Sequence, residues 1–480
     1  MKENNIVVGR QKEQAILREA LQSNESELVA VLGRRRVGKT YLVKQFFREE
    51  LAFELTGIEN ATTEAQLQAF SFRLSQYTKE NPKKYDGWME AMFALINHLD
   101  SQQTDKKRVL FFDELPWLAT PRSNFLQAFS FFWNSWAVDR NVVVVICGSA
   151  ASWMIKHVVK HRGGLHNRIT HRIHLAPFSL AETQSYLNSR NITLNKLQVL
   201  RLYMILGGIP HYLKQVKPGM SIAHNIDAIC FSEFGPLRDE FEDLYLALFD
   251  SPSRHMAIVR ALAARHYGMH RKDLLQEAEL SDGGGATRVL NELVQSGFIV
   301  RQNTYGKKRN QDSFRLIDEY SLFYLRFLEP LRRQGRSKWS EIINTPRYHG
   351  WSGYAFENIC IRHLSQIKHA LGISGVQTNI SSFLAKATDQ AEGVQIDLLI
   401  DRADEVINVC EFKFSAENFS LTPAEGRKLR SKLSAFQSHT GTRKQLFLTL
   451  ITPFVAEDHT GTKDSVEALL TAEDLFAELR

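Results

Sequence analysis

The sequence GRRRVGKT at residues 33–40 directly follows the apolar run LVAVL at residues 28–32. It fits the pattern G-x-x-x-x-G-K-[ST], with a buried-strand pattern before it and an amphipathic helical pattern at residues 41–50 after it. Glycines let backbone N–H groups curl around phosphates, and the N-terminus of the following helix adds its dipole. We therefore predict a phosphate-binding loop in which Lys39 reaches the β- and γ-phosphates of a nucleotide and Thr40 binds Mg²⁺.

Three further apolar runs predict the rest of a sheet around this loop. They are RVLFF at 108–112, VVVVIC at 142–147 and HRIHL at 171–175. Amphipathic helical stretches separate them, for example at residues 65–77. Strands that alternate with helices indicate βαβ units and a parallel sheet. We therefore predict an α/β P-loop NTPase core with a parallel sheet over residues 1–180.

Acidic and polar side chains at the ends of two of these runs predict catalytic roles. In VLFFDE at residues 109–114, the strand ends at Asp113, which would hold the magnesium, and Glu114 would polarise the attacking water. The next apolar strand leads to Ser149, which would sense the γ-phosphate from a strand between the other two. The sequence NKLQ at residues 195–198 lacks the aspartate of a guanine-binding motif, so ATP is favoured over GTP.

The middle of the chain has the pattern of a helical segment followed by a winged helix. Residues 181–250 are predicted to form a helical lid. Residues 251–318 then give three helical patterns and a hairpin pattern, which is the order of a winged helix-turn-helix. Residues 319–350 form a basic, aromatic connector, and an α/β pattern returns over residues 351–480.

Positive charge is concentrated on the predicted winged helix. The chain carries a net charge of +7, and residues 254–309 hold ten lysines and arginines against five aspartates and glutamates. Arg288 lies on the third helix, the expected recognition helix, and the wing carries Lys307, Lys308 and Arg309. Because such side chains bind DNA phosphates, we predict DNA contact through the winged helix and the connector. The alternative is a winged helix that packs against protein only.

A pair of strand patterns near the C-terminus carries charged residues in apolar surroundings. Asp397 begins one run, and Glu411 and Lys413 lie in VINVCEFKF at residues 406–414. Folding the chain at the turn 402–405 places Asp397 opposite position 410 or 411, and Glu411 and Lys413 share one face of their strand. Charges within apolar strands are costly unless they have a partner or a role. Two carboxylates can hold Mg²⁺ or Mn²⁺, and a nearby lysine can orient or activate water.

The sequence resembles the archaeal-type ATPases of the AAA+/STAND group over nearly its whole length. The matching motifs are VGR at 8–10, GRRRVGKT at 33–40, FFDELPWL at 111–118, CGSA at 147–150, GGIPHYL at 207–213 and FRLIDEYSLFYLRF at 314–327. The resemblance implies that residues 8–10 pack near the adenine and that Pro210 faces the nucleotide. The predicted nucleotide-binding set is Val8, Gly9, Arg10, Gly33, Arg36, Val37, Gly38, Lys39, Thr40, Tyr41 and Pro210.

The C-terminal residues resemble the PD-(D/E)XK nuclease superfamily through the spacing D-(x13)-E-x-K. Glu357, in the string GYAFENIC, fits the acidic residue on the first helix of that fold, while Ile396 stands where the superfamily has proline. The resemblance implies a nuclease-like domain over residues 351–480. Its catalytic residues would be Glu357, Asp397, Glu411 and Lys413, with Asp397 and Glu411 holding the metal. The alternative is a nuclease-like fold that only packs or binds nucleic acid.

Composition excludes several other classes of protein. The chain has four cysteines and no CxxC pair, which excludes a disulfide scaffold and makes a cysteine zinc site unexpected. No run approaches the ~18 apolar residues of a membrane span, and the N-terminal sequence lacks a signal-peptide segment. We therefore expect a cytoplasmic protein that binds and hydrolyses ATP, binds DNA and cleaves it. The alternative is an ATP-gated DNA- or protein-binding switch with an inactive nuclease-like domain.

A homo-oligomer or a protein partner would add a further group to the ATP site. Arg168 and Arg172 lie close to the last predicted strand of the sheet. In an oligomer, either side chain is a candidate arginine finger that reaches the nucleotide of a neighbouring subunit. A surface or structural role is the alternative for each of them.

Overall fold

The computed structural model describes residues 7–102, 104–159, 165, 167–265, 267–306, 312–333, 338–343, 345–387, 392–456 and 466–479. The chain divides into two compact units, Met1–Pro177 and Phe178–Arg480. Across the described ranges, none of the helices is both long enough and apolar enough to cross a membrane.

A parallel sheet lies at the centre of the first unit. Its strands are β1 (Glu27–Leu32), β2 (Leu51–Thr56), β3 (Arg108–Asp113), β4 (Val142–Gly148) and β5 (His171–His174). In the described residues their order is β2-β3-β4-β1-β5, and each neighbouring pair is parallel. Every residue of β1 and β4 is buried, as expected for strands covered on both faces. The predicted parallel sheet is confirmed, and β4 lies between β1 and β3 as predicted.

Helices supply the apolar side chains that cover this sheet. They are α1 (Gln11–Gln22), α2 (Lys39–Phe46), α3 (Thr63–Thr78), α4 (Trp88–Ser101), α5 (Leu115–Leu118), α6 (Phe125–Ser135) and α7 (Ala151–Met154). The Trp88 ring lies edge-on to Phe125 with 4.8 Å between centroids, and Phe112 of β3 lies edge-on to Phe129 at 5.2 Å. Edge-to-face pairs of this kind add to the stabilisation that burial itself provides. The core therefore ties α4 and α6 to β3.

The second unit begins with a series of helices. They are α8 (Leu180–Ser189), α9 (Lys196–Leu206), α10 (Pro210–Leu213), α11 (Ile222–Ile226), α12 (Glu240–Leu248), α13 (Pro252–Ala263), α14 (Arg271–Glu277) and α15 (Gly284–Gln295). Six more follow: α16 (Glu319–Phe323), α17 (Glu329–Arg333), α18 (Pro346–Arg362), α19 (Leu364–Ala370), α20 (Pro423–Thr440) and α21 (Ala472–Leu475). Ser179 and Asn195 form capping boxes at the starts of α8 and α9, which satisfy N–H groups that the helices leave unpaired.

Eight strands form one sheet in the described part of the second unit, in the order β13-β12-β11-β10-β9-β7-β8-β6. They are β6 (Met269–His270), β7 (Ile299–Thr304), β8 (Ser313–Leu316), β9 (Thr378–Ala385), β10 (Val394–Arg402), β11 (Val406–Phe412), β12 (Gln445–Ile451) and β13 (Ala468–Leu470). The two predicted hairpins, β7–β8 and β10–β11, are confirmed as antiparallel pairs. The strand β7 also pairs with β9 at Asn303↔Ser381 and Thr304↔Ser382, so the β7–β8 hairpin and the C-terminal strands share one sheet.

Several boundaries differ from those that the sequence predicts. The helix predicted at 41–50 ends at Phe46, because β2 follows it almost at once. The strand β2 was not predicted, since its sequence LAFELT is only partly buried and lacks a continuous apolar run. The strand β9 was not predicted either, and α18 begins at Pro346, before the α/β pattern predicted over residues 351–480. In spite of these differences, the acidic side chains that the sequence places on strands lie on strands in the structure.

Candidate functional site

The loop between β1 and α2 has the backbone that phosphate binding requires. Gly38, at the N-cap of α2, has a φ of 93°, and Gly33 has a φ of 153°. A Cβ on Gly33 would lie 2.5 Å from the carbonyl oxygen of Leu175, which is closer than real Cβ atoms approach backbone. Glycine at both positions is therefore needed for the loop to turn and to pack against the residue that follows β5.

Lys39 is buried within this loop. Its ammonium group donates to the carbonyl oxygens of Gly33 and Arg34, each at 3.0 Å. The loop thus carries a fixed positive charge beside the N-terminus of α2, which is where helix geometry favours an anion. Phosphate oxygens can compete with these two carbonyl oxygens for the same ammonium group.

Thr40 and Asp113 meet at the ends of α2 and β3. The Thr40 hydroxyl donates to Asp113 Oδ2 at 2.8 Å, and Asp113 Oδ1 accepts from the thiol of Cys147 at 2.6 Å. Burial, with the nearby Asp113 charge, raises the pKa of the Cys147 thiol well above its usual value, so the thiol stays a neutral donor. A hydroxyl and a carboxylate oxygen placed together are the donor types that Mg²⁺ takes, so these residues fit a magnesium ion.

Glu114 is held by the neighbouring strand. Its Oε2 accepts two hydrogen bonds from Ser149, one from the backbone N–H at 2.9 Å and one from the hydroxyl at 2.8 Å. The backbone of Glu114 has a φ of 48°, a left-handed conformation that non-glycine residues adopt at a cost. Two hydrogen bonds from Ser149, which the sequence did not predict, therefore determine the direction of the Glu114 carboxylate.

The other residues of the predicted nucleotide-binding set lie at the edge of the loop, except for one. Arg10 is buried, has a φ of 58° and donates to the Val37 carbonyl oxygen at 3.3 Å. Gly9 accepts from the Gln14 side chain at 2.7 Å, which fixes residues 8–10 at the start of α1. The set also includes Val8, Arg36 and Tyr41, of which Arg36 has a φ of 75° and Tyr41 is exposed. Pro210 begins α10 in the second unit, and its role toward the nucleotide stays a prediction.

A buried arginine, which the sequence patterns do not reveal, lies at the C-terminal carboxylates. Arg315 of β8 is 1% exposed, and its guanidinium donates to Glu357 Oε2 and to Asn358 Oδ1 of α18, each at 2.7 Å. A third nitrogen lies 3.7 Å from Asp397 Oδ1 of β10. The guanidinium carbon is also 4.3 Å from the centre of the Tyr354 ring. Burial raises the pKa of Glu357 to about 7, Arg315 opposes that rise, and Asp397 adds to it.

The predicted meeting of Asp397 with Glu411 is confirmed by the strand register. Leu398 pairs with Cys410 in the antiparallel β10–β11 hairpin, so the next position brings Asp397 opposite Glu411. The register of β10 against β9 shifts between Ile396 and Leu399, so Asp397 lies at a bulge. Bulges commonly redirect side chains beside active sites.

Two lysines neutralise Glu411. Lys413, the predicted one, has its Nζ 3.3 Å from Glu411 Oε1. Lys432 of α20, which was not predicted, donates to Glu411 Oε2 at 2.8 Å. Lys428 and Lys432 also line a cavity of about 290 Å³ together with Asp397. These two lysines are one helical turn apart, and exposed Arg427 lies beside the first of them. From this spacing, a concentration of positive charge on α20 could have been predicted.

The predicted metal ligands are thus already engaged by cations of the chain. Asp397 and Glu357 face Arg315, and both oxygens of Glu411 face lysines. In the part of the chain that is described, no three or more histidine, cysteine, aspartate or glutamate side chains are grouped so that they could hold a metal ion. As arranged here, these residues do not fit a divalent cation.

One of the predicted DNA-contacting residues, Arg288, forms ion pairs within the chain. Arg288 pairs with Glu292 at 2.8 Å and with Asp250 at 3.1 Å, and the wing residues Lys307, Lys308 and Arg309 lie outside the described residues. The connector aromatics are buried rather than presented to bases. They are Phe323, Tyr324, Phe327 and Trp339, and they pack against one another and against neighbouring rings. These rings form part of the core, and DNA contact through the basic side chains of the connector stays a prediction.

Comparison with known families agrees with the first unit's site. Residues 7–216 match the family described as an ATPase domain predominantly from Archaea. Residues 7–216 are therefore similar to archaeal-type ATPase domains, and this match supports ATP binding and hydrolysis by a P-loop on a parallel α/β sheet.

Three archaeal proteins illustrate what the chain is similar to. The uncharacterized protein MJECL04 of Methanocaldococcus jannaschii is 24% identical over 367 residues, which is 75% of this chain and 77% of that protein. Among solved structures, the Walker-type ATPase PABY2304 of Pyrococcus abyssi covers 67% of this chain and 96% of its own at 19% identity, with a TM-score of 0.49. The ORC2 protein of Aeropyrum pernix covers 69% of this chain and 97% of its own at 12% identity, with a TM-score of 0.42.

Proposed function

We propose that the protein uses ATP binding and hydrolysis in its first unit to control the processing of DNA by its second unit. One observation carries the second half of this proposal. Asp397 and Glu411 lie opposite each other on antiparallel strands, and Lys413 Nζ lies 3.3 Å from Glu411. This arrangement resembles the D…ExK set of the PD-(D/E)XK superfamily and supports a nuclease-like role for the second unit.

In the ATP site, each predicted residue has a geometry that suits its role. Lys39 binds the β- and γ-phosphates in exchange for its two loop carbonyls. Thr40 and Asp113 hold the magnesium, which supplies a positive charge beside the phosphates. Glu114 orients the attacking water and accepts its proton, and Ser149 fixes the direction of that carboxylate.

The basic face of α20 supports DNA as the partner of the second unit. This face consists of Arg427, Lys428 and Arg430, all exposed, and α20 contains Glu425 as its acidic residue. Glu425 is engaged in the capping box with Thr422, so it does not cover the face. Exposed lysines and arginines in a row bind the phosphodiester backbone without reading sequence. The face leads to the cavity that Lys428 shares with Asp397.

Within the cleavage site, the residues of the chain can bind the phosphodiester and move a proton. Lys413 and Lys432 place two ammonium groups beside Glu411, where they can stabilise negative charge that develops on a phosphate. Asp397 is 26% exposed and lines the same cavity as Lys428 and Lys432. A water molecule in this cavity would therefore have both a carboxylate and ammonium groups as neighbours.

A second candidate function is an ATP-gated DNA- or protein-binding switch that does not cut. The buried Arg315 favours this alternative, because it engages Glu357 and Asp397 and leaves the site charge-balanced. Both candidates share the ATP site and the basic face of α20, and only the fate of DNA distinguishes them.

The deciding experiment measures cleavage of linear and supercoiled DNA by the purified chain with Mg²⁺ or Mn²⁺, with and without ATP. Asp397→Asn is the test variant, and Asp404→Asn, in the exposed turn of the same hairpin, is the matched control. Cutting by the parent and by Asp404→Asn, but not by Asp397→Asn, supports the nuclease. DNA binding that depends on ATP without any cutting supports the switch and overturns the nuclease.

A further inference from the structure

We propose that Arg315 is a built-in competitor for divalent cations at the C-terminal carboxylates, so that a metal ion binds Asp397 and Glu357 only when this guanidinium is displaced. The inference rests on the proposed nuclease function in one respect, namely that the ligand competing with Arg315 is a divalent cation. It names a positioning residue on β8, in the predicted winged helix, for a site whose carboxylates lie on α18 and β10.

Arg315 is surrounded by groups that stabilise a positive charge. Four of them are polar or aromatic groups that favour positive charge: Glu357, Asn358, Asp397 and the Tyr354 ring. A guanidinium that is 1% exposed is stable only because such partners offset the loss of its hydration. The same partners would otherwise attract a free cation.

The charges of the site balance as they stand. The three carboxylates Glu357, Asp397 and Glu411 face three cations of the chain, namely Arg315, Lys413 and Lys432. A divalent cation that entered this balanced set would be repelled by a guanidinium within a few ångströms of its ligands. Removing the charge of Arg315 leaves Asp397 and Glu357 without their shared cation, so that either a proton on Glu357 or a divalent cation can replace it.

The Arg315 guanidinium lies closer to one of its two carboxylate partners than to the other. The more distant carboxylate should therefore be the first that it releases. The guanidinium is 2.7 Å from Glu357 and 3.7 Å from Asp397, so its bond to α18 is tight and its approach to β10 is loose. A cavity of about 300 Å³ is lined by both Arg315 and Asp397, together with Gln302 and Ser382. A small cation can therefore reach Asp397 through this cavity and displace the guanidinium from it.

The strand pairing connects this competition to the β7–β8 hairpin. Arg315 lies on β8, and β7 pairs with β9 at Asn303↔Ser381 and Thr304↔Ser382, which is a short stretch of ladder. A small shift of the hairpin against β9 would move Arg315 relative to Asp397 while both strands stay folded. Any ligand that moves the hairpin would thus change the affinity of the carboxylates for metal.

The test measures Mn²⁺ binding to the full chain without nucleotide, by the electron paramagnetic resonance signal of free Mn²⁺. Arg315→Gln should bind Mn²⁺ at least tenfold more tightly than the parent, and the gain should vanish in Arg315→Gln/Asp397→Asn. Arg315→Lys keeps the positive charge and should stay close to the parent. Arg301→Gln is the matched control, since Arg301 lies on the same hairpin but pairs with Asp312. Equal or weaker Mn²⁺ binding by Arg315→Gln overturns the proposal.

Two further arms keep the outcome decisive. If Arg315→Gln does not fold, as circular dichroism would show, Arg315→Met keeps both carboxylates and an apolar stem, and it is judged against the parent by the same tenfold criterion. Cleavage assays separate this proposal from the nuclease itself. Tighter Mn²⁺ binding without DNA cutting keeps the competition and overturns the nuclease, whereas cutting by the parent with unchanged Mn²⁺ affinity in Arg315→Gln does the reverse.

Discussion

The Glu114 carboxylate accepts two hydrogen bonds from Ser149, at 2.9 Å from its backbone N–H and at 2.8 Å from its hydroxyl. The two residues lie at the ends of adjacent strands, because β3 and β4 are parallel neighbours and their carboxyl ends share one edge of the sheet. The geometry links the residue proposed to activate water to the strand that lies beside the phosphate loop. A substitution at either residue should therefore change the rate of ATP hydrolysis.

Replacing Glu114 with glutamine should abolish turnover while ATP binding is kept. The amide keeps the size of the side chain but cannot accept a proton, and loss of a general base costs about 10²- to 10⁴-fold in rate. Phosphate release and the Kd of a fluorescent ATP analogue should be measured side by side. Glu25→Gln, an exposed change in the same unit, is the control. Unchanged turnover in Glu114→Gln would remove Glu114 from this role.

Replacing Ser149 with alanine should lower kcat by about tenfold and leave the affinity for ATP within about twofold of the parent. The variant keeps the backbone N–H bond to Glu114 and loses the hydroxyl bond, and a hydrogen bond to a charged group contributes about 1.5–3 kcal/mol. Steady-state kinetics separate the two parameters. An increase in KM with an unchanged kcat would show that Ser149 binds substrate rather than positions Glu114.

Replacing Gly33 with alanine should destabilise the first unit and weaken ATP binding. The new Cβ would lie 2.5 Å from the Leu175 carbonyl oxygen at a φ of 153°, and strain of this kind costs about 1–3 kcal/mol. Thermal unfolding and ATP titration check both effects. Gly87→Ala is the matched control, because a Cβ there meets nothing within 4 Å and the φ is −175°. Equal melting temperatures for the two variants would show that the loop tolerates a side chain at residue 33.

The ATP site could be predicted well from the sequence because each of its parts is local. The loop at residues 33–40 and the acidic pair Asp113 and Glu114 directly follow buried strands, and parallel strands bring their ends to one edge. The hairpin that places Asp397 opposite Glu411 could be predicted for the same reason, since a short turn sets its register.

Interactions between distant segments could not be predicted in this way. Arg315 meets Glu357 across 42 residues of sequence, and its strand gives no sign of a partner beyond one charge in an apolar run. The pairing of β7 with β9 likewise joins segments that the sequence patterns assign to separate domains. The burial of the connector rings could not be predicted either, because basic and aromatic residues alternate both on nucleic-acid surfaces and at the rim of a core.

Acid should destabilise the second unit through His363. Its Nδ1 lies 2.8 Å from the Ile359 carbonyl oxygen, and its Nε2 accepts from the Leu180 N–H at 3.0 Å, so the neutral ring satisfies both partners. Burial lowers the pKa of His363 to about 4. Because this pKa is depressed in the folded chain, the stabilisation is complete above about pH 6.5 and is lost as the pH falls toward 4, by about 3 kcal/mol in all.

Thermal unfolding of the parent and of His363→Gln between pH 7 and pH 4.5 tests this expectation. The variant should be less stable at pH 7 but should lose less stability on acidification, because glutamine does not titrate. His349→Gln, at an exposed histidine of the same unit, should follow the parent curve. Parallel curves for the parent and His363→Gln would show that this ring does not set the acid sensitivity.

Reversing the charge on the basic face of α20 should weaken DNA binding. Arg427 and Lys428 are exposed, and Lys428 lines a cavity together with Asp397. The double variant Arg427→Glu/Lys428→Glu therefore replaces two cations proposed to bind phosphate with repelling anions. We expect at least a tenfold decrease in affinity for duplex DNA at low salt and a shallower salt dependence, by about one unit of slope for each phosphate that the variant no longer binds. Lys214→Glu/Lys217→Glu makes the same change of charge at exposed positions elsewhere in the second unit and is the control. If both double variants bind DNA equally weakly, net charge rather than α20 governs binding. If both bind as tightly as the parent, DNA binds another surface of the protein, and the path proposed along α20 to Asp397 is wrong.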